Sequence, residues 1–212
     1  MIYLIGGAPR VGKSIVAELV AKDRKVKVVS TDDLCARTME SMTAEDIRIK
    51  FPYPSFSGDA SENKLSPKEL VDLQITSAQS LEPVIDRLIA EGAKSRGSLV
   101  IEGVHLMPDH VRDLMTEHGS SAIRSVFLGS CDVARVVKGI QSNTSPKNWL
   151  KESDPEVIQQ VANFVVAFSQ RIQKEAERRQ LSYQERTDDF EGDMRRICGQ
   201  LLSDTEVRTL RR

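Results

Sequence analysis

Cysteine is scarce in this chain: three residues in 212, Cys35, Cys131 and Cys198, an odd number with no C-x-x-C pair. That argues against a disulfide framework and against a thiolate zinc site. It suits a reducing cytoplasm, in which each thiol is expected to act as a small buried hydrophobe. An excess of charge of one sign is also missing. Lys and Arg number 30 against 31 Asp and Glu, for a net charge of −1, so no global basic field exists to attract nucleic acid or an anionic membrane. No apolar run approaches the length of a bilayer span, and the N-terminus reads as a strand rather than a signal peptide. Internal repeats, low-complexity tracts and an N-K-x-D guanine-recognition motif are absent as well. What is present, 40% hydrophobic and 29% charged residues, suffices for one α/β domain over 1–212 with a full core and a small cap or lid.

The strongest positive signal is G-A-P-R-V-G-K-S at 7–14, which fits G-x-x-x-x-G-K-[ST] at every fixed position. From Gly7 through Ala8, Pro9, Arg10 and Val11 to Gly12, such a loop turns backbone N–H groups inward as a nest for phosphates. Lys13 is then expected to reach the β- and γ-phosphates and Ser14 to ligate Mg²⁺, with Ile15 continuing the helix that begins there. The flanks agree. Ile2-Tyr3-Leu4-Ile5 suits a buried strand, and Ser14 to Ala21 has helical apolar spacing at Ile15, Val16, Leu19 and Val20. Strand, loop and helix in this order place the phosphates at a helix N-terminus, so the chain is expected to bind a nucleoside triphosphate.

Further strands are predicted at Lys25 to Thr31, Ser98 to Val104, Ile123 to Gly129 and, mainly from its position, Leu181 to Arg186. Helical spacing covers Pro67 to Ala93 and Pro155 to Arg179, and an amphipathic closing helix is expected within 188–212 around Phe190, Ile197, Leu201 and Leu202. This alternation predicts a parallel sheet with right-handed crossovers and helices on both faces. Two stretches fall outside the scheme. Phe51 to Ser66 is rich in proline, glycine and serine yet carries three aromatics, and Gln141 to Asp154 is polar and holds the only tryptophan. They are read as parts of a substrate cap (about 42–66) and a lid (about 141–154).

Phosphoryl transfer requires cations, magnesium ligands and a carboxylate to activate the acceptor. The second strand ends in Ser30-Thr31-Asp32-Asp33, at the sheet edge where open α/β folds bind ligands. Asp32 or Asp33 can accept a proton from a substrate hydroxyl or hold Mg²⁺ through water, while Thr31 or Asp32 can instead cap the following helix. Asp32 is preferred for the chemistry and Asp33 for the substrate. Arg37, further along that helix, can aim a guanidinium at an anionic acceptor. Glu102, after the apolar run L-V-I, occupies the position of a Walker-B carboxylate in the metal shell. Gly103 would let the backbone approach the phosphates, and His105 is a secondary candidate for binding substrate. Arg135, Lys138, Lys147 and Lys151 flank or lie within the lid, with Arg135 foremost for stabilising the transferring group, and Arg171 is a further candidate.

Taken together, G-G-A-P-R-V-G-K-S, S-T-D-D and, above all, I-E-G-V-H-L-M-P (101–108) resemble the 2-phosphoglycerate kinase family, within the adenylate-kinase-like group of small-molecule kinases. The resemblance runs through the first half of the chain by motif and through the rest by element order. It implies a P-loop NTPase three-layer sandwich whose five-stranded parallel sheet has the order 2-3-1-4-5. It also implies dependence on ATP and Mg²⁺ and phosphorylation of a hydroxyl on a small anionic metabolite. Gly7, Gly12, Lys13 and Ser14 would then hold phosphate, with Asp32 and Glu102 near metal and acceptor. The partner expected is the small-molecule acceptor, on a monomer or homodimer. Two other readings stay open: a nucleoside or nucleotide kinase, with Phe51, Tyr53 and Phe56 stacking a base, and a non-enzymatic module gated by nucleotide.

Overall fold

The strand that feeds the phosphate-binding loop, β1 (Ile2–Gly7), is buried along its whole length, which requires cover on both faces of the sheet. A computed structural model describes residues 1–53, 65–94, 97–119, 121–144 and 148–203, excluding the side chains of Trp149 and Lys151. After β1 come α1 (Lys13–Arg24), β2 (Val28–Ser30), α2 (Thr31–Met39), α3 (Ala44–Lys50) and α4 (Pro67–Lys94). Next are β3 (Leu99–Glu102), α5 (Pro108–His118), β4 (Ile123–Gly129) and α6 (Val133–Ser142). A short 3₁₀ turn at Trp149–Glu152, α7 (Pro155–Arg178), β5 (Tyr183–Glu185) and α8 (Phe190–Leu202) follow. Among the described residues the sheet has five strands, all parallel, in the order β2-β3-β1-β4-β5, as the resemblance implied. On one face α1 packs against β1, β3 and α8; on the other α4, α5 and α7 pack against one another and against β1 and β4. The core between these layers includes Leu4, Ile5, Ile101, Phe127, Leu81, Ile85 and Phe168, all with negligible exposure.

Several boundaries differ from those expected, each for a local reason. Lys25 to Thr31 is not one strand. Lys25 closes α1 in a left-handed conformation (φ 55), while the Ser30 side chain accepts from the Asp32 amide at 3.2 Å and starts α2 at Thr31. The helix cap is therefore Ser30, neither Thr31 nor Asp32. Within the proposed cap lies α3, which has no buried residue and hence no apolar stripe by which to recognise it. Residues 54–64 of that cap, Phe56 among them, and 145–147 of the lid lie outside the described residues, as do 204–212 of the closing helix. The α4 helix runs unbroken through Pro83, which sits on its exposed side. Of the cysteines only Cys35 is buried; Cys131 and Cys198 are half-buried, contrary to the expectation of three core thiols.

Gly7 illustrates how tightly the loop is set into the sheet. Its φ is +121°, and a Cβ there would lie 1.9 Å from the Leu128 carbonyl oxygen. Gly92, in α4, would place a Cβ no nearer than 3.8 Å to any neighbour. Gly7→Ala should destabilise the fold by roughly 2 kcal/mol or more through strain and backbone collision. Gly92→Ala should be neutral or stabilising by up to about 1 kcal/mol from helix propensity. Urea unfolding of the two variants beside wild type checks both.

Candidate functional site

The glycine loop leads from β1 into α1 through an unusual backbone. Arg10 (φ 65) and Gly12 (φ 98) take left-handed conformations, and Gly12 caps α1 with no side-chain hydrogen bond. No acidic residue stands in the first turn of α1. By contrast, the caps of α2, α3, α6, α7 and α8 (Ser30, Thr43, Asp132, Asp154 and Asp189) all accept a backbone N–H with their side chains. The opening amides of α1 thus have no side-chain acceptor, and the helix end keeps its attraction for an anion. Beneath the loop, Phe190 and Met194 of α8 come so close to Gly12 that a Cβ there would lie 3.0 and 2.9 Å from them. Arg186 lies over the Phe190 ring at 4.1 Å and donates to the Val11 carbonyl at 3.4 Å.

Lys13 is buried, and its ammonium donates to the Ala8 carbonyl at 2.7 Å. Burial pushes its pKa below the ordinary lysine value, against the opposing pull of Glu102 and Asp32. Glu102 lies between β1 and β2, paired in register with Ile5 on one side and Ser30 on the other. That register brings it under the Ser14 hydroxyl, which donates to Glu102 Oε1 at 3.3 Å. Burial raises the Glu102 pKa, with Lys13 and the hydroxyls of Ser14 and Ser30 opposing and Asp32 reinforcing. A Ser hydroxyl and one carboxylate are hard oxygen ligands suited to Mg²⁺. Among the described residues no group of three or more His, Cys, Asp or Glu side chains could hold a metal unaided. Such a partial shell fits a magnesium ion that takes its remaining ligands from nucleotide phosphates and water.

Asp32 stands on the first turn of α2 with its carboxylate largely exposed, Oδ1 lying 3.6 Å from His105 Nδ1. His105 is buried and shares a hydrogen bond of 3.0 Å with the Thr31 hydroxyl. Burial lowers its pKa, Asp32 opposing and Lys13 reinforcing, which favours a neutral imidazole. Gly103 makes room for this cluster. Its φ is +150°, and a Cβ would fall 1.7 Å from the Thr31 hydroxyl, so glycine makes the room in which Thr31 meets His105.

A cavity of about 780 Å³ opens from the loop. Pro9, Arg10, Lys13, Ser14, Asp32, Glu102 and His105 line its polar, loop end, while Met39, Phe51, Leu150, Val161 and Phe164 supply an apolar wall. Tyr53 packs its ring 5.2 Å from that of Phe164. Phe51 is itself buried, so these aromatics belong to the wall rather than standing as open stacking faces. Cys35 also faces the cavity, its thiol pushed up to about 11 by burial and by Asp32.

Other expected residues lie elsewhere. On α2 the cavity is lined by Asp32, Cys35 and Met39, at helical spacing along one face. Asp33 and Arg37 sit a step round the helix, exposed and off the lining. Arg135 is engaged away from the cavity by Asp188 at 3.1 Å, Asp132 at 3.4 Å and Glu185 at 4.0 Å. Arg171 pairs with Glu175 along α7, and Lys138 is exposed on α6. Lys147 and the Lys151 side chain lie outside the described residues. Three contributors carried no sequence signal. Asn148 accepts from Arg10 at 3.1 Å and donates to the carbonyls of Ile140 and Asn143, tying the glycine loop to the segment after α6. Gln74 and Ser77 enter the cavity from α4.

No family model matches the chain. It is similar to the 2-phosphoglycerate kinase of Methanothermobacter thermautotrophicus, 29% identical over 120 residues, covering 53% of this chain and 38% of that protein. The mevalonate-3-phosphate 5-kinase of Thermoplasma acidophilum is 21% identical over 137 residues, covering 63% and 64%. The chain thus spans less than two thirds of the length of either curated relative. Among solved structures, shikimate kinase from Bacteroides thetaiotaomicron aligns at a TM-score of 0.49 and 14% identity over 95% of this chain and 98% of that one. A sugar kinase from Janibacter sp. aligns at 0.49 and 16% identity over 95% and 93%.

The raised Glu102 pKa has a signed consequence. A carboxyl whose folded pKa exceeds its unfolded value contributes stability below the unfolded value, and loses it as pH rises through the folded one. Glu102→Gln should therefore raise the melting temperature of the nucleotide-free protein at pH 7 and flatten its decline above pH 4.5. The same variant should weaken Mg-ATP binding by about tenfold or more while sparing metal-free ATP. Thermal melts across pH and titration calorimetry with and without Mg²⁺ read the two effects separately.

Proposed function

We propose that this chain is an ATP- and Mg²⁺-dependent kinase that transfers the γ-phosphoryl group to a hydroxyl of a small anionic metabolite resembling 2-phosphoglycerate. The observation that carries the reading is the convergence on one cavity edge of an uncapped helix N-terminus, the Ser14–Glu102 pair and an exposed Asp32. The similarity to two small-molecule kinases supports it.

In this reading the loop amides and Lys13 take the phosphates, and Lys13 exchanges its bond to the Ala8 carbonyl for one to phosphate oxygen. Ser14 and Glu102 would hold the magnesium ion, which neutralises charge on the β- and γ-phosphates. Asp32 accepts the acceptor's hydroxyl proton as its oxygen bonds to the γ-phosphorus. The bond from that phosphorus to the β–γ bridging oxygen breaks, and ADP departs with the electron pair. His105, neutral and held by Thr31, keeps Asp32 facing the cavity. Arg10 offers a second cation at the same end, beside Lys13.

Coupled ADP release with Mg-ATP, run against small hydroxy acids, sugar phosphates and nucleosides with 2-phosphoglycerate included, tests the proposal. Stimulation by one acceptor is expected, and a flat response beside tight ATP binding would count against it. Lys13→Ala should lower kcat by about 100-fold or more, since it removes a cation from the developing phosphoryl charge. Asp32→Asn should leave ATP affinity within about twofold while cutting kcat by roughly 100-fold, the range of a lost general base. Full activity in Asp32→Asn would reassign the proton to another group.

A further inference from the structure

At Gln74 a polar side chain occupies a core position without a partner. The buried face of α4 runs Leu70, Val71, Gln74, Ser77, Ala78, Leu81, Ile85 and Ile89, so Gln74 falls in an otherwise largely apolar stripe. It is 3% exposed, and its Nε2 has no hydrogen-bond partner among the described residues. Burying an amide in this way is unfavourable unless something else supplies an acceptor. Gln74 also lines the cavity. Ser77, one turn on, is already committed: its hydroxyl donates to the Leu73 carbonyl at 3.0 Å and accepts from the Tyr53 amide at 3.4 Å. Around Gln74 the wall is Met39, Phe51, Tyr53 and Phe164, and all the charged lining residues among those described belong to the loop end.

Resting on the kinase reading for the phosphoryl transfer, and replacing its 2-phosphoglycerate-like acceptor with a singly charged, branched one, we propose that Gln74 and this wall form the acceptor subsite. It selects a compact hydroxy acid with an apolar branch, one of whose oxygens accepts a hydrogen bond from Gln74 Nε2. The hydroxyl points toward Asp32 and the branch lies against Met39 and Phe164. A ligand carrying two anionic groups and no apolar carbon, as 2-phosphoglycerate does, would leave this wall unsatisfied and would bury charge against it. Gln74 is here a specificity-determining residue, and the chemistry stays with the loop and Asp32.

The test is titration calorimetry on the full chain loaded with Mg²⁺ and a non-hydrolysable ATP analogue, with 2-hydroxyisovalerate, 3-hydroxyisovalerate, glycerate and 2-phosphoglycerate as probes. ADP release is followed in parallel with ATP. At least one branched acid should bind about tenfold or more tightly than the two unbranched probes, the discrimination an apolar contact of this size supports. Gln74→Leu should keep the melting temperature at or above wild type and leave analogue affinity unchanged, while weakening the branched acid by about tenfold or more, because a donor built for that oxygen is gone. Gln74→Glu should weaken it further by repelling the carboxylate. Unchanged branched-acid affinity in Gln74→Leu overturns the subsite, as does tighter binding of 2-phosphoglycerate or no binding of any branched acid. Turnover of 2-phosphoglycerate indifferent to Gln74→Leu would leave the kinase reading standing and sink this one. Gln74-dependent binding of a branched acid without ADP release would do the reverse.

Discussion

The register of β3 between β1 and β2 is the constraint on which the rest of the site depends. Parallel pairing sends the carboxyl ends of all three strands to one edge, and the pairings Ile5↔Glu102 and Ser30↔Glu102 set Glu102 level with both neighbours. From that level the loop after β1 carries Ser14 onto Glu102, and the helix after β2 carries Asp32 into the same cavity. A slip of one residue in β3 would turn Glu102 to the opposite face and break the arrangement. Gly103 then leaves the strand at a φ that only glycine adopts readily, which lets Thr31 approach and position His105. Three segments far apart in the chain thus meet through backbone hydrogen bonds rather than through any one side-chain contact.

How much of this could be read from the residues alone depended on whether the signal was local. The loop was legible because phosphate binding restricts backbone conformation at fixed offsets, and those restrictions show directly as Gly7, Gly12, Lys13 and Ser14. Glu102 was legible because it ends a buried apolar run. The long helices α4 and α7 announced themselves by apolar periodicity, whereas α3 sets only a half-buried Ile47 against the core and left no pattern. The strand order came from family resemblance, since periodicity says nothing about which strands are neighbours. Asp33 adjoins cavity-lining Asp32 and Arg37 falls between Cys35 and Met39, yet a turn of about 100° per residue carries both off the cavity face. Arg135 looked available because nothing local reveals that Asp188 and Glu185, some fifty residues later, engage it. Gln74 and Asn148 are common residue types whose importance lies wholly in what the fold packs around them.

The electrostatics divide the cavity into two environments. At the loop end, buried Lys13 and Glu102 oppose each other's shifts, and Asp32 remains exposed beside a neutral histidine. Phosphate and metal charge can be matched there by fixed dipoles and full charges. At the other end the wall is apolar and held by α4 and α7, two long helices that also build the core. In the proposed reading, shape and a single amide would do the selecting there, so that activating a phosphoryl group and choosing its recipient would fall on separate structural elements.

Lys13 lies buried on the Ala8 carbonyl within the protein's own fold. The ammonium has therefore shed most of its water during folding, and nucleotide binding need not dehydrate it again. The free energy of that dehydration sits in the stability of the empty protein, which is lower for it, and not in the affinity for ATP. Occupancy would return part of it as ligand-linked stabilisation, because a phosphate is a stronger partner for the cation than a peptide carbonyl. In the proposed reading, the same buried lysine that favours anion capture would make the nucleotide-free fold the less stable form.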